Sequence, residues 1–351
     1  MNAKRLCVVL LLVMVIPIPG YCLAAAKKPS SLAELALYNG SDRQQILEEG
    51  AKKEGRLVFY SSGTNAVNAV VEAFQKKYPL IKVDLWRAPS MVLTSRTTEE
   101  FRAGKHTVDV IEGTQSNMLL IQQLGLVQPF LLPNLAQIED DAKTNAPAGG
   151  VWAVAFRSSG IGFGYNTKML SKNQLPKTYQ DLTDPKWKGK LAIAGTDTGV
   201  NWAGAIYRNY GLDLLKKIAA QNFVIQMISG TAVGELVAAG EYEATPAVTD
   251  ANVFAAKLSG APIAWTPLEP VRVLAGYITV TKHAPHPHAA LLFADFEITR
   301  EVGEIHRGLG YDSFRKDVPA VEQRYKRYFG VDTVEGVKED FDLFSNLFLK
   351  K

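Results

Sequence analysis

Cysteine is almost absent from this chain: Cys7 and Cys22 are the two residues of that type, and both fall early in the 351 positions. Beyond them no thiol remains, which excludes disulfide staples, thiolate-bound zinc and cysteine nucleophiles. An excess of one charge is missing too. Lys and Arg number 39 against 35 Asp and Glu, a formal net charge of +4. No basic stripe interleaved with aromatics occurs, so nucleic acid is not an expected partner. Long apolar runs are also lacking: residues 6–16, eleven in a row, are too few to span a bilayer. Neither internal repeats nor low-complexity tracts occur. The signatures of common enzymes are absent as well: no Gly-x-Ser-x-Gly elbow, no Gly-x-x-x-x-Gly-Lys-Ser/Thr loop and no His-Glu-x-x-His. Gly160, Gly162 and Gly164 recur at every second residue, the wrong spacing for a dinucleotide turn. His283, His286 and His288 are separated by Pro285 and Pro287, which keeps them off a shared helical face. A turn leading into a helix is expected there, not a metal site. The expectation is a non-enzyme with no cofactor and no metal.

The N-terminus has the pattern of a secretory signal. Lys4 and Arg5 precede the apolar run, Pro17, Pro19 and Gly20 break it, and Ala24, Ala25 and Ala26 offer a cleavage site. Tyr21 stands where a lipobox needs a small residue, so Cys22 is expected to leave with the leader, residues 1–26. The remaining chain is expected in the periplasm, with no transmembrane segment.

After the leader, apolar strands alternate with amphipathic helices. Strands are expected at residues 57–60, 82–86 and 108–111, each ending in a small polar loop: Ser61-Ser62-Gly63-Thr64, Arg87-Ala88-Pro89-Ser90 and Glu112-Gly113-Thr114-Gln115. This alternation implies an α/β fold with a parallel sheet and crossovers. The most informative stretch is 184–211. A short apolar strand, 191–194, breaks into Thr196-Asp197-Thr198-Gly199, and helical spacing begins with Trp202, Ile206 and Tyr210. Strand, Thr/Gly loop and helix N-terminus in that order point free N–H groups and hydroxyls into the crevice of an open sheet. Capping by Thr196, Asp197 or Thr198 accounts for the same pattern without a ligand. Residues 152–165 are long, β-patterned and glycine-punctuated, with a polar middle at Arg157–Gly160, as for a strand passing between two domains. The proline-rich segment 262–270 is the expected return crossing. Residues 314–351, basic and aromatic, are expected to be helical and peripheral.

Several stretches in this order and spacing carry a family resemblance: LVFYSS (57–62), RTTEEFRAG (96–104) leading into Asp109-Val110, GLVQPF (125–130), GIGFGYNTK (160–168), DPKWKG (184–189), GEYEA (240–244) and APHPHAA (284–290). The chain resembles type II periplasmic solute-binding proteins of ABC importers, in the branch that includes iron(III)-binding proteins. The resemblance implies two lobes, each a mostly parallel sheet flanked by helices, joined by crossing hinge strands and closing over a ligand. It places residues 27–158 and 267–313 in the first lobe, 159–266 in the second and 314–351 in a tail. It also implies a monomer that hands its solute to an inner-membrane permease.

The departures bear on the ligand. Iron-binding members of the branch place a His after the first strand, a Glu after the third and two adjacent Tyr after the strand near residue 248. The matching positions here are Thr64, Thr114, and Asp250 with Ala251. Ferric iron prefers anionic oxygen ligands, and this set holds one carboxylate and no phenolate. A small polar, anionic organic molecule is expected instead, as in related branches that carry phosphorylated sugars or organic acids. The expected site is Ser61, Ser62, Thr64, Ser90, Thr114, Gln115, Thr196, Thr198 and Asn252 as neutral donors and acceptors. Arg87 and Arg157 are its candidate anion clamps, each with pairing to a nearby acid as the alternative. Trp202 is its candidate stacking platform, with a core position as the alternative. Asp250 is placed either to receive an ammonium group or to cap a helix. The scaffold leaves open a ligand-presenting module for a membrane sensor, a ferric carrier with an atypical site, or an enzyme.

Overall fold

The structure, a computed structural model, describes residues 29–350 except 30, 64, 65, 322–324, 331 and 332. The leader with Cys7 and Cys22, and the site candidate Thr64, lie outside the described residues.

Helices α1 (Leu32–Ala36) and α2 (Arg43–Glu54) lead into β1 (Arg56–Ser61). Gly55 closes α2 in the left-handed region, φ +65°, and returns its N–H to the Ala51 carbonyl. Leu57, Phe59 and Tyr60 of β1 are all buried, as a strand covered on both faces requires. In α3 (Ala66–Lys77), Val67, Val70, Val71 and Phe74 form one buried face, each burial contributing about 1.5–3 kcal/mol. The Phe74 ring meets Phe293 at 5.0 Å. β2 (Lys82–Arg87), α4 (Ser90–Arg102), β3 (Val110–Gly113) and α5 (Gln115–Gln123) complete the first βαβ series. β1 lies between β2 and β3 and is parallel to both, with Leu57 beside Val83 and Tyr60 beside Ile111.

β4 (Lys143–Asn145) pairs with β5 (Val151–Asn166), which runs unbroken through the glycine-punctuated stretch. Phe156 belongs to the first core and Ile161 to the second, so β5 changes core across the polar residues between them. The second lobe follows as β6 (Ala192–Ala194), α6 (Asp197–Tyr210), α7 (Leu212–Ala219), β7 (Val224–Gln226), α8 (Gly230–Ala239), β8 (Ala244–Thr249), α9 (Asp250–Leu258) and β9 (Ile263–Thr266). The chain returns through β10 (Val271–Val280) to α10 (Pro287–Glu297), α11 (Arg300–Gly308) and β11 (Asp312–Ser313). β12 (Arg327–Tyr328) and α12 (Val334–Phe344) form the tail, closed by a π-helical turn at Ser345–Leu349. The sheet runs β11-β5-β10-β3-β1-β2. β8 and β9 pair along the far half of β5, so one curled sheet passes through both lobes.

Two expectations are corrected. The proline-rich segment is not the return crossing: it contains β9, which pairs with β5 inside the second lobe. β10 crosses instead. Its Leu274 packs on the second core, its Tyr277 belongs to the first, and a bulge lies between Gly276 and Tyr277. The tail is not peripheral either. Phe314 is buried in the first core, and Phe344 and Phe348, stacked at 5.0 Å, are buried in the second. Arg208 of α6 holds α12 through Glu339 at 2.7 Å and Asp340 at 3.1 Å.

Candidate ligand-binding cleft

Strand direction fixes where the loops lie. β3 is antiparallel to β10, and β10 to β5, so β5 leaves the first lobe at the end where β1, β2 and β3 finish. β8 is antiparallel to β5, and Leu191, just before β6, bridges Ala244 in parallel. The ends of β6 and β8 therefore point back toward the first lobe. Each end is followed by a helix: α3, α4 and α5 in one lobe, α6 and α9 in the other. Their N-terminal turns carry N–H groups without intrahelical partners, and the two sets face each other across the crossing strands.

The described first-lobe candidates lie at the ends of neighbouring strands. Ser61 is in register with Arg87 on β2 and with Glu112 on β3. The Ser62 N–H donates to the Glu112 carbonyl at 3.1 Å, and the exposed Arg87 is anchored through Nε to the Gly63 carbonyl at 3.0 Å. Ser90 opens α4, and its carbonyl accepts from the Asn117 amide of α5 at 3.1 Å. Thr114 is the exposed N-cap of α5, its hydroxyl 3.2 Å from that of Ser116, and Gln115 is the first helical residue. In the second lobe the Thr196 hydroxyl donates to the Ile228 carbonyl at 3.1 Å. Thr198 sits over Gly230, where a side chain would strike it. The Asn252 amide donates to the Thr231 hydroxyl at 2.8 Å.

Beneath these loops lies a buried charge cluster. Glu112 accepts the Ser61 hydroxyl on one carboxylate oxygen and the Arg157 guanidinium on the other. The Ser61 hydroxyl in turn accepts the Gly63 N–H at 2.9 Å. Arg157 lies 5.0 Å from the Tyr311 ring and against Gly276 of the β10 bulge. Burial acts to lower the Arg157 pKa, but the acidic groups around it, Glu112 foremost with Tyr311 and Glu297, together outweigh burial and raise it. Glu297 and His306 lie behind, 3.8 Å apart and buried. Burial raises the Glu297 carboxyl well above its usual range and pushes the His306 imidazole well below its own, disfavouring the charged form of each. Sequence patterning allows Arg157 an acid partner but does not name it, because it treats Glu112 as part of a loop.

Two candidates are engaged by the protein itself. Trp202 is fully buried, packed against Phe223 and Phe348. A solute stacking on it would have to enter the second core, so the stacking expectation is corrected to a core position. Asp250 does not cap α9; Thr249 does, accepting the Asn252 N–H at 3.4 Å. The Asp250 carboxylate is engaged by the protein through both oxygens. One oxygen accepts the Gly160 N–H at 2.9 Å and the Ala251 N–H at 2.7 Å, and the other accepts the Tyr325 hydroxyl at 3.0 Å. Burial, with a smaller contribution from Asp312, raises its pKa to about 7. Two of the histidines near α10 are tied individually to carboxylates, His286 to Asp109 through Nδ1 at 2.9 Å and His288 to Glu54 at 2.7 Å, while the His283 ring lies against His106. Asp109 and Glu54 also accept N–H groups at the α10 N-terminus. Among the described residues, no group of three or more His, Asp or Glu is placed to hold a metal ion, and no helix is long and apolar enough to cross a membrane.

Two α/β lobes sharing crossing strands, with helix N-termini facing across them, define a periplasmic-binding-protein type II fold. Residues 69–331 match the family described as bacterial extracellular solute-binding protein, and the chain belongs to that family. An uncharacterized protein of Haemophilus influenzae strain Rd is 29% identical over 275 residues, 73% of this chain and 76% of that one. An Fe(3+)-binding periplasmic protein of Serratia marcescens is 32% identical over 167 residues, 47% of each chain. Among solved structures, iron-bound HitA from Pseudomonas aeruginosa superposes with a TM-score of 0.69 at 19% identity, covering 83% of this chain and 99% of that one. AfuA from Actinobacillus pleuropneumoniae, with exogenous fructose-6-phosphate bound, gives 0.67 at 23% identity, covering 85% and 100%. Likeness at these identities concerns the fold.

Proposed function

We propose that this solute-binding protein is exported, captures a small polar, anionic organic molecule between its lobes and delivers it to an inner-membrane ABC permease. The observation that carries the reading is the set of helix N-termini opposed across the crossing strands, furnished with hydroxyls and amides (Ser62, Thr114, Gln115, Thr196, Thr198) and one anchored cation, Arg87. Such a surface favours a negative group. The proposal assigns the direct contact to Arg87, exposed at the end of β2, and the electrostatic floor to Arg157, which is paired with Glu112. Asn252 and Ser90 hold their loops in place. The leader pattern of residues 1–26 supports export, and the periplasmic relatives support the compartment.

Ferric iron is the second reading. The Serratia relative is named for it, HitA is iron-bound, and Asp250 lies within hydrogen-bond reach of a phenol, Tyr325. Against iron, both Asp250 oxygens already accept hydrogen bonds from the protein. A thermal-shift panel of sugar phosphates, phosphonates, di- and tricarboxylates and ferric citrate separates the readings. A solute at 100 times its dissociation constant adds about 2.7 kcal/mol to stability. An organic anion is expected to raise the midpoint, with no visible charge-transfer band on adding iron. Stoichiometric iron uptake with that band would overturn the organic-anion reading.

A further inference from the structure

Three parts of the chain meet at Asp250. It is the first residue of α9, it accepts the Gly160 N–H of β5 at 2.9 Å, and it accepts the tail's Tyr325 hydroxyl at 3.0 Å. The Tyr325 ring lies against Trp265 of β9, centroids 5.7 Å apart. A side chain at position 160 would strike the Tyr325 hydroxyl and Val271, so glycine there leaves the space that the phenol fills. Shortly beyond, β12 pairs with Val271 and Arg272 at the start of β10, and Arg327 is ion-paired with Glu139 of the first lobe. The tail thus grips the second lobe through Tyr325 and the first through Arg327, on either side of the crossing strands. Farther on, α12 packs on α6 and reaches α5.

Resting on the solute-binding reading, we propose that Tyr325 is a positioning residue for solute capture: acting through Asp250, it ties the start of α9 to the β5 crossing and sets the lobe separation from which closure begins. Lobe motions concentrate backbone change in a few residues. Gly160 lies in that short stretch, and its N–H is held by a carboxylate that the tail itself orients. Without the phenol, one Asp250 oxygen loses its donor, the carboxylate is free to turn, and the crossing loses its brace.

The test needs no solute. Hydrogen exchange in peptides covering residues 157–161 and the radius of gyration are measured on solute-free protein, with melting temperature alongside. Tyr325→Phe is expected to speed exchange in that segment by about fivefold to tenfold, the scale of one hydrogen bond, and to raise the radius of gyration. Asp250→Ala should do the same, with no further effect when the two are combined. Asp250→Asn, which keeps an acceptor for Gly160, should recover most of the protection. Parent-like exchange and radius in Tyr325→Phe would overturn the proposal. So would a uniform rise in exchange along the whole chain with a lower melting point, which marks a merely structural residue. Because no solute is present, a failed solute panel leaves this result untouched, and the reverse also holds.

Discussion

Glu112 and Arg157 form a buried ion pair where the first-lobe sheet gives way to the crossing strand, their side chains 2% and 12% exposed. The second carboxylate oxygen holds the Ser61 hydroxyl, and Ser61 holds the Gly63 N–H. Glu112 therefore shapes the β1 loop and engages the Arg157 guanidinium.

Arg157→Ala leaves Glu112 buried and unpaired, which is expected to cost about 3–5 kcal/mol of stability. Arg157→Lys should recover part of that, since an ammonium group lacks the planar fork. Urea denaturation midpoints check both. An alanine variant as stable as the parent would show that Glu112 finds water instead.

Trp202→Ala is expected to cost about 3–5 kcal/mol through the cavity it leaves, and Trp202→Phe less, neither changing solute affinity once corrected for the folded fraction. Calorimetric titration alongside denaturation checks this. Loss of affinity in Trp202→Phe with stability intact would restore the stacking role.

Local pattern made much of the fold legible. The apolar period of residues 67–74 gives α3 and its buried face, and the runs at 57–60 and 82–86 give β1 and β2, because one period matches one covered surface. The candidate site was legible as a set of loops at strand ends. Its wiring was not, because each decisive contact joins residues distant in sequence: Arg157 to Glu112, 45 positions apart, and Tyr325 to Asp250, 75 apart. No periodicity encodes such pairs. Trp202 shows a different limit. A residue one turn into a helix after a loop fits a core or a cleft equally well until the helix is rotated into place, and here the end of α12 and the π-helical turn after it cover that face with Phe344 and Phe348.

Asp250 binds its proton more tightly in the folded protein, with a pKa of about 7 against 3.8 for the free side chain. Its contribution is therefore fully present below pH 4 and lost as pH rises through 7. Denaturation midpoints at pH 5 and pH 8 should fall more steeply with pH in the parent than in Asp250→Asn. Equal slopes would place the Asp250 pKa near its ordinary value.

Arg87→Ala is expected to weaken binding of the panel's best organic anion by about 2 kcal/mol or more. Thr198→Val should cost on the order of 1 kcal/mol, one neutral hydrogen bond. Titration calorimetry with unliganded melting temperatures as controls measures both. Unchanged affinity in Arg87→Ala would move the anion contact elsewhere.

The central claim is capture of a solute between two closing lobes, and small-angle scattering tests it most directly. With the panel's strongest stabiliser at saturation, the radius of gyration of the parent protein is predicted to fall as the lobes close about residues 157–160 of β5 and the β10 bulge at Gly276. An unchanged radius under confirmed saturation would contradict the account.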